Sequence, residues 1–93
     1  MPTMIDPKQL TVLVTGATSG FGAAACRRFA GAGAKVIATG RRVERLQALK
    51  KELGGACHIV PHDALQRKAT EALIAGLPEE FSRVNVVVAN AGL

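Results

Sequence analysis

Three glycines, Gly16, Gly20 and Gly22, punctuate the stretch Thr15-Gly16-Ala17-Thr18-Ser19-Gly20-Phe21-Gly22. Ahead of it runs Leu10-Thr11-Val12-Leu13-Val14, apolar enough for a buried strand. Behind it the alanine-rich run from Ala23 to Ala30 suits a helix. A turn of small residues between a buried strand and a helix gathers free backbone N–H groups and the positive end of the helix dipole, which together attract an anion. Each glycine has a steric task there. Gly16 allows the tight bend, Gly20 lets a pyrophosphate approach the backbone, and Gly22 lets helix and strand pack closely. The chemistry implied is a cradle for dinucleotide phosphates. The competing reading is a strand–helix connection that is merely rich in small residues.

A second cluster, Gly40-Arg41-Arg42, lies about 20 residues further on, where a dinucleotide site usually places an acid that accepts the ribose hydroxyls. No acid is present. Two guanidinium forks stand in its place, and such forks match a phosphate in bidentate fashion. The ligand implied carries a 2′-phosphate, which favours NADP over NAD. A solvated basic start to the next helix is the plainer alternative, although cations sit poorly at the positive end of a helix unless an anion joins them.

Asp63 stands where the adenine end of a dinucleotide would lie, and equally where a cap for the third helix would stand. Asn90-Ala91-Gly92 follows the last strand, at the carboxyl edge where open α/β sheets bind ligands; a plain turn uses the same residue types. His58 and His62, with Cys57 and Asp63 nearby, suggest a metal at first sight. On a strand rising ~3.3 Å per residue the two imidazoles stand about 13 Å apart, too far to share one ion, so no metal is expected.

The elements that must position these residues alternate strictly. Strands are predicted at Leu10 to Thr15, Lys35 to Thr39 ending at Gly40, Cys57 to Val60 closed by Pro61, and Asn85 to Ala89, the last of the fully buried kind. Helices are predicted from Gly20 to Ala32, stopped by Gly31 and Gly33, from Val43 to Leu53, stopped by Gly54-Gly55, and from about Leu65 to Ala75. The second helix carries an apolar stripe of Val43, Leu46, Leu49 and Leu53, and the third shows Leu65, Ala69 and Leu73 on one face. Met1 to Gln9 reads as a leader, and residues 10–93 as one unit. The alternation implies an α/β fold, a Rossmann-type parallel sheet with helices on both faces and strand order 3-2-1-4.

Composition narrows the partners. The 93 residues are 48% hydrophobic, which predicts a packed core, and the net charge of +5 favours anionic ligands. With three Phe and no Trp or Tyr, no aromatic platform interleaves with the basic residues, so nucleic acid binding is not expected. No run approaches a membrane span or a signal peptide, which makes the cytoplasm the expected compartment. Cys26 and Cys57 match no metal or redox spacing and are expected as buried, reduced thiols.

Taken together, Thr15-Gly16-x-x-x-Gly20-x-Gly22, Asp63 and Asn90-Ala91-Gly92 resemble, in order and spacing, the short-chain dehydrogenase/reductase family. The run Lys35-Val36-Ile37-Ala38-Thr39-Gly40-Arg41-Arg42, continued by Glu44-Arg45-Leu46-Gln47, is similar to its NADP-dependent 3-hydroxy acid dehydrogenase branch, also called serine dehydrogenases. The resemblance implies that Gly16, Ala17, Thr18, Ser19, Gly20, Phe21 and Gly22 line the cofactor's phosphates, and that Arg41 and Arg42 meet its 2′-phosphate. Asp63 and Ala64 would face the adenine, and Asn90, Ala91 and Gly92 the ribose region. Ala89 departs from the family pattern, which usually has an Asn there.

The family's chemistry uses a Ser and a Tyr-x-x-x-Lys pair, the Tyr as general acid/base. This sequence holds no Tyr, and Ser19, Ser82 and its threonines lie in no matching context. The expectation is an amino-terminal, truncated half of an NADP-dependent oxidoreductase of hydroxy acids or similar small alcohols, inactive by itself. A free-standing nucleotide-binding module and a small basic interaction protein are the alternatives. Val86-Val87-Val88 would form an uncharged sheet edge, through which self-association is expected.

Overall fold

The computed structural model describes residues 6–61 and 67–89, the side chains of residues 67–70 excepted. Four strands, β1 (Thr11–Val14), β2 (Lys35–Gly40), β3 (Cys57–Pro61) and β4 (Val86–Val88), form one parallel sheet in the order β3-β2-β1-β4. Three helices connect them: α1 (Gly20–Gly31), α2 (Val43–Leu53) and α3 (Arg67–Ala75).

The pleat sorts the strand residues to two faces, because successive side chains point to opposite sides. Val12, Val14, Val36, Ala38 and Cys57 pack with Cys26 of α1 and with Leu46 and Leu49 of α2. Leu13 and Ile37 face the other way and are covered by Leu77 and Phe81, with Leu73 and Ile74 of α3 against them. Both faces of β1 are therefore dry, and Val12, Leu13 and Val14 are all buried. This is the parallel, doubly covered sheet that the apolar strands imply.

Several boundaries differ from the sequence reading for identifiable reasons. β3 continues through Pro61, which stands opposite Gly40 at the rim; an edge strand tolerates a residue without an N–H. Residues 86–88 are less buried than their β-branched run suggested, with Val87 57% exposed, because β4 is the outer strand among the described residues. Val43 is also exposed, while Leu46 and Leu49 of the same stripe are buried. Gly33, not Gly31, ends α1: its φ of 98° is left-handed and its N–H donates to Ala30 O at 3.0 Å. At the other end of α2, Gly54 does the same work with φ 69°. The Asp6 side chain accepts from Lys8 N and caps a 3-10 turn at Pro7–Gln9, within the segment expected as a leader. A second such turn, Glu79–Phe81, has no periodic signature, yet it delivers Phe81 to the core.

Candidate functional site

The glycine turn is tied to the strands on both sides. On the β4 side, Thr15 N–H donates to Val88 O at 3.0 Å, and the Thr15 hydroxyl approaches the same carbonyl at 3.4 Å. On the β2 side, Ala17 N–H donates to Thr39 O at 2.9 Å, and the Thr39 hydroxyl donates to Val14 O at 3.1 Å. The turn, the end of β2 and the end of β4 therefore form one hydrogen-bonded rim at the carboxyl edge of the sheet.

Inside the turn, Gly16 adopts φ 62°, a left-handed conformation that a side chain resists. Ser19 is the N-cap of α1: its hydroxyl accepts from Gly22 N at 3.2 Å and donates to Gly16 O at 2.9 Å. That is the usual way a helix start satisfies one of its orphan donors. Gly22 is buried, and a Cβ there would collide with the Gly16 carbonyl oxygen and lie 2.9 Å from Ala17 Cα. The close approach it allows is thus between α1 and the turn itself, a tighter constraint than helix-on-strand packing. Ala17 is fully buried with its amide already used, so it offers neither side-chain surface nor a spare donor.

Gly20 is different. A Cβ there would meet no atom within 4 Å, and its φ is not positive. The amides of Thr18, Gly20 and Phe21 find no acceptor among the described residues. Phe21 stands 71% exposed beside them. The turn presents donors, a helix N-terminus and an open approach on one side, which is the arrangement that takes up a phosphate.

The second sequence cluster lies next to this rim. Gly40 ends β2 against Thr18: a Cβ at Gly40 would stand 3.0 Å from Thr18 Cγ2 and 3.4 Å from its Oγ1. Arg41 and Arg42 follow at once and are exposed, and neither guanidinium meets an acceptor among the described residues. Arg42 is the N-cap of α2, with no side-chain cap bond. Arg27, by contrast, pairs with Glu52 at 2.7 Å. The Thr39–Gly40–Thr18 junction was not singled out from sequence; the only clue was a small residue at the strand end where an acid is customary.

Asp63, Ala64, Asn90, Ala91 and Gly92 lie outside the described residues, as does His62. Cys26 of α1 and Cys57 of β3 are free and fully buried in the same core cluster. Burial, and secondarily the neighbouring Cys57, pushes the Cys26 thiol up to about 12. Burial also raises Cys57. Among the described residues no cluster of His, Cys, Asp or Glu could hold a metal, and no helix is long and apolar enough to cross a membrane. A cleft of about 490 Å³ opens at the opposite, amino edge of the strands, beside Lys8, Thr11, Lys35, Glu80, Arg83 and Asn85. Its position separates it from the glycine turn.

Comparison with known proteins brings this geometry into a family context. A family model described as short chain dehydrogenase matches residues 10–93. Serine 3-dehydrogenase of Rhizobium radiobacter is 54% identical over 83 residues, covering 89% of this chain and 33% of that protein. NADP-dependent 3-hydroxy acid dehydrogenase of Escherichia coli O6:H1 is 55% identical over 84 residues, covering 90% and 34%. A closed form of serine dehydrogenase complexed with NADP+ superposes with a TM-score of 0.77 at 53% identity, covering 82% of this chain and 31% of that one. The chain spans about a third of the length of the curated relatives it matches.

Proposed function

This chain belongs to the short chain dehydrogenase family, and we propose that its residues 10–93 are the NADP-binding part of an oxidoreductase acting on the CH–OH group of a hydroxy acid or similar small alcohol. The observation that carries this reading is the glycine turn with three amides that meet no acceptor, and a Gly20 whose missing side chain nothing among the described residues requires. Gly16 and Gly22 are explained by the turn's own geometry. Gly20 is explained by a ligand lying against the backbone.

In this reading the amides of Thr18, Gly20 and Phe21 and the N-terminus of α1 hold the diphosphate. Arg41 and Arg42 hold the 2′-phosphate, and an anion there removes the penalty of two cations at the start of α2, about 0.3–1 kcal/mol each at such a position. Asp63 and Ala64 serve the adenine, and Asn90, Ala91 and Gly92 the ribose region, by the family resemblance. The nicotinamide ring of the cofactor, when bound, supplies or accepts a hydride. The general acid/base of the family, a tyrosine, has no counterpart in these 93 residues, so the chain by itself binds cofactor without turning over substrate. Two free, buried thiols suit a reducing compartment such as the cytoplasm.

Titration of the chain with NADPH and NADH, followed by nicotinamide fluorescence, tests the assignment. NADPH is expected to bind at least tenfold tighter, and the Arg41→Ala, Arg42→Ala double variant is expected to lose that preference while NADH binding stays within about twofold, since each charge-assisted pair is worth about 1.5–3 kcal/mol. A preference that survives the double change refutes the role of the arginines. Absence of turnover with L-serine or a 3-hydroxy acid is expected in the same samples.

A further inference from the structure

We infer that Thr18 is a specificity-determining residue, which acts by crowding any side chain placed at position 40; this rests on the dinucleotide reading of the site. Position 40 closes β2, where a carboxylate that accepts the 2′- and 3′-hydroxyls of an unphosphorylated ribose would stand. Here the Cβ of such a residue would be crowded by the Thr18 side chain, which would have to give by a few tenths of an ångström. Thr18 Cγ2 lies 3.0 Å from where that atom would be, while Oγ1 at 3.4 Å is at the limit of ordinary contact and Thr18 Cβ at 3.7 Å within it.

The backbone has little freedom to relieve the conflict. Ala17 N–H is bonded to Thr39 O at 2.9 Å and the Thr39 hydroxyl to Val14 O at 3.1 Å, so the residues flanking the contact on both segments are tied together. Moving β2 away from the turn breaks both bonds. The Thr18 side chain itself is β-branched and stiff at χ1. The glycine turn therefore does more than present amides: one of its side chains keeps the neighbouring strand end bare. With a carboxylate disfavoured at position 40, Arg41 and Arg42 decide the ribose end of the site. Discrimination arises by shutting out the competitor's partner as well as by attracting the preferred anion.

A double-mutant cycle on Thr18→Ala and Gly40→Ala tests the contact, with affinities for NADPH and NADH read by nicotinamide fluorescence, which Trp and Tyr do not obscure in this chain. Gly40→Ala alone is expected to weaken NADPH binding about tenfold. In the Thr18→Ala background, which leaves only the 3.7 Å neighbour, the same change is expected to cost less than threefold. Thr18→Ala with Gly40→Asp is expected to shift the NADH-to-NADPH affinity ratio at least tenfold toward NADH, whereas Gly40→Asp alone weakens both cofactors. If Gly40→Ala does not fold, recovery of a cooperative thermal transition on adding Thr18→Ala supports the contact, and failure to recover overturns it. Additive effects in a chain that does prefer NADPH overturn the role of Thr18 and leave the cofactor assignment standing. A folded wild-type chain that binds neither cofactor overturns both.

Discussion

Gly20 and Gly22 stand two residues apart and answer to different demands. Gly22 is required by the chain: an added methyl would run into the Gly16 carbonyl. Gly22→Ala is therefore expected to cost about 3 kcal/mol or to prevent folding, measured by urea denaturation. Gly20→Ala meets no neighbour and is expected to leave stability unchanged or raise it by about 0.5 kcal/mol, while NADPH affinity falls at least tenfold. Equal losses of stability at both sites would refute the distinction. The thiol of Cys26 carries a pH prediction. Its native value lies above its ordinary 9.0, at about 12, so the native state holds a proton that the unfolded chain releases. The associated stability is complete below pH 9 and declines as the pH rises toward 12. Urea midpoints from pH 8 to 11 are expected to fall in the wild type and to fall less in Cys26→Ala.

At the scale of the elements, α1 starts where Ser19 caps it, and the cap stands beside the proposed phosphate position. Ser19→Ala is expected to cost about 1 kcal/mol. Ser19→Asp keeps the acceptor for Gly22 N but loses the donor to Gly16 O and brings a negative charge to the phosphates; stability is expected to fall by about 1 kcal/mol, as for Ser19→Ala, and NADPH affinity to fall about tenfold further than in Ser19→Ala. A Ser19→Asp chain that binds NADPH as well as wild type would move the diphosphate away from this helix end. The elements themselves were largely legible in the sequence. α2 runs from Val43 to Leu53 as its apolar spacing and following glycines imply, and the β-branched runs became strands. The misses have physical causes. Phe81 and Leu77 are isolated apolar residues around Pro78 and Glu79-Glu80, with no period to reveal that they cover Leu13 and Ile37. Of the two glycines expected to stop α1, Gly33 does so because its backbone turns left-handed, while Gly31 is the last helical residue, a difference that neighbouring glycines do not advertise. Val43 belongs to the stripe by spacing but sits in the first turn of α2, beyond the reach of the core.

For the whole molecule, the alternation of short apolar strands and helices leads to a sheet in the order β3-β2-β1-β4, and that order brings the glycine turn between the ends of β2 and β4. Two of the candidate motifs, the glycine turn and Gly40-Arg41-Arg42, were legible because each follows a strand at the carboxyl edge; Asp63 and Asn90-Ala91-Gly92 lie outside the described residues. The site's discriminating contact, Thr18 on Gly40, was not legible, since it joins residues far apart in sequence that only the register of β1 against β2 brings together. The outer strand has a consequence of its own. Among the described residues β4 is the outer strand, with an uncharged edge and Val87 exposed, and such edges pair with other chains. We expect concentration-dependent association of the 93-residue chain in sedimentation velocity, reduced by Val87→Lys; a wild type that stays monomeric at every concentration would refute it.

The central contact is that of the glycine turn with a diphosphate, and amide-resolved NMR reads it directly. On addition of NADPH to the folded chain, the N–H signals of Thr18, Gly20 and Phe21 are predicted to shift most, while those of Lys8, Lys35 and Arg83 at the opposite edge stay in place. A folded chain whose Thr18, Gly20 and Phe21 signals do not move at millimolar NADPH would contradict it.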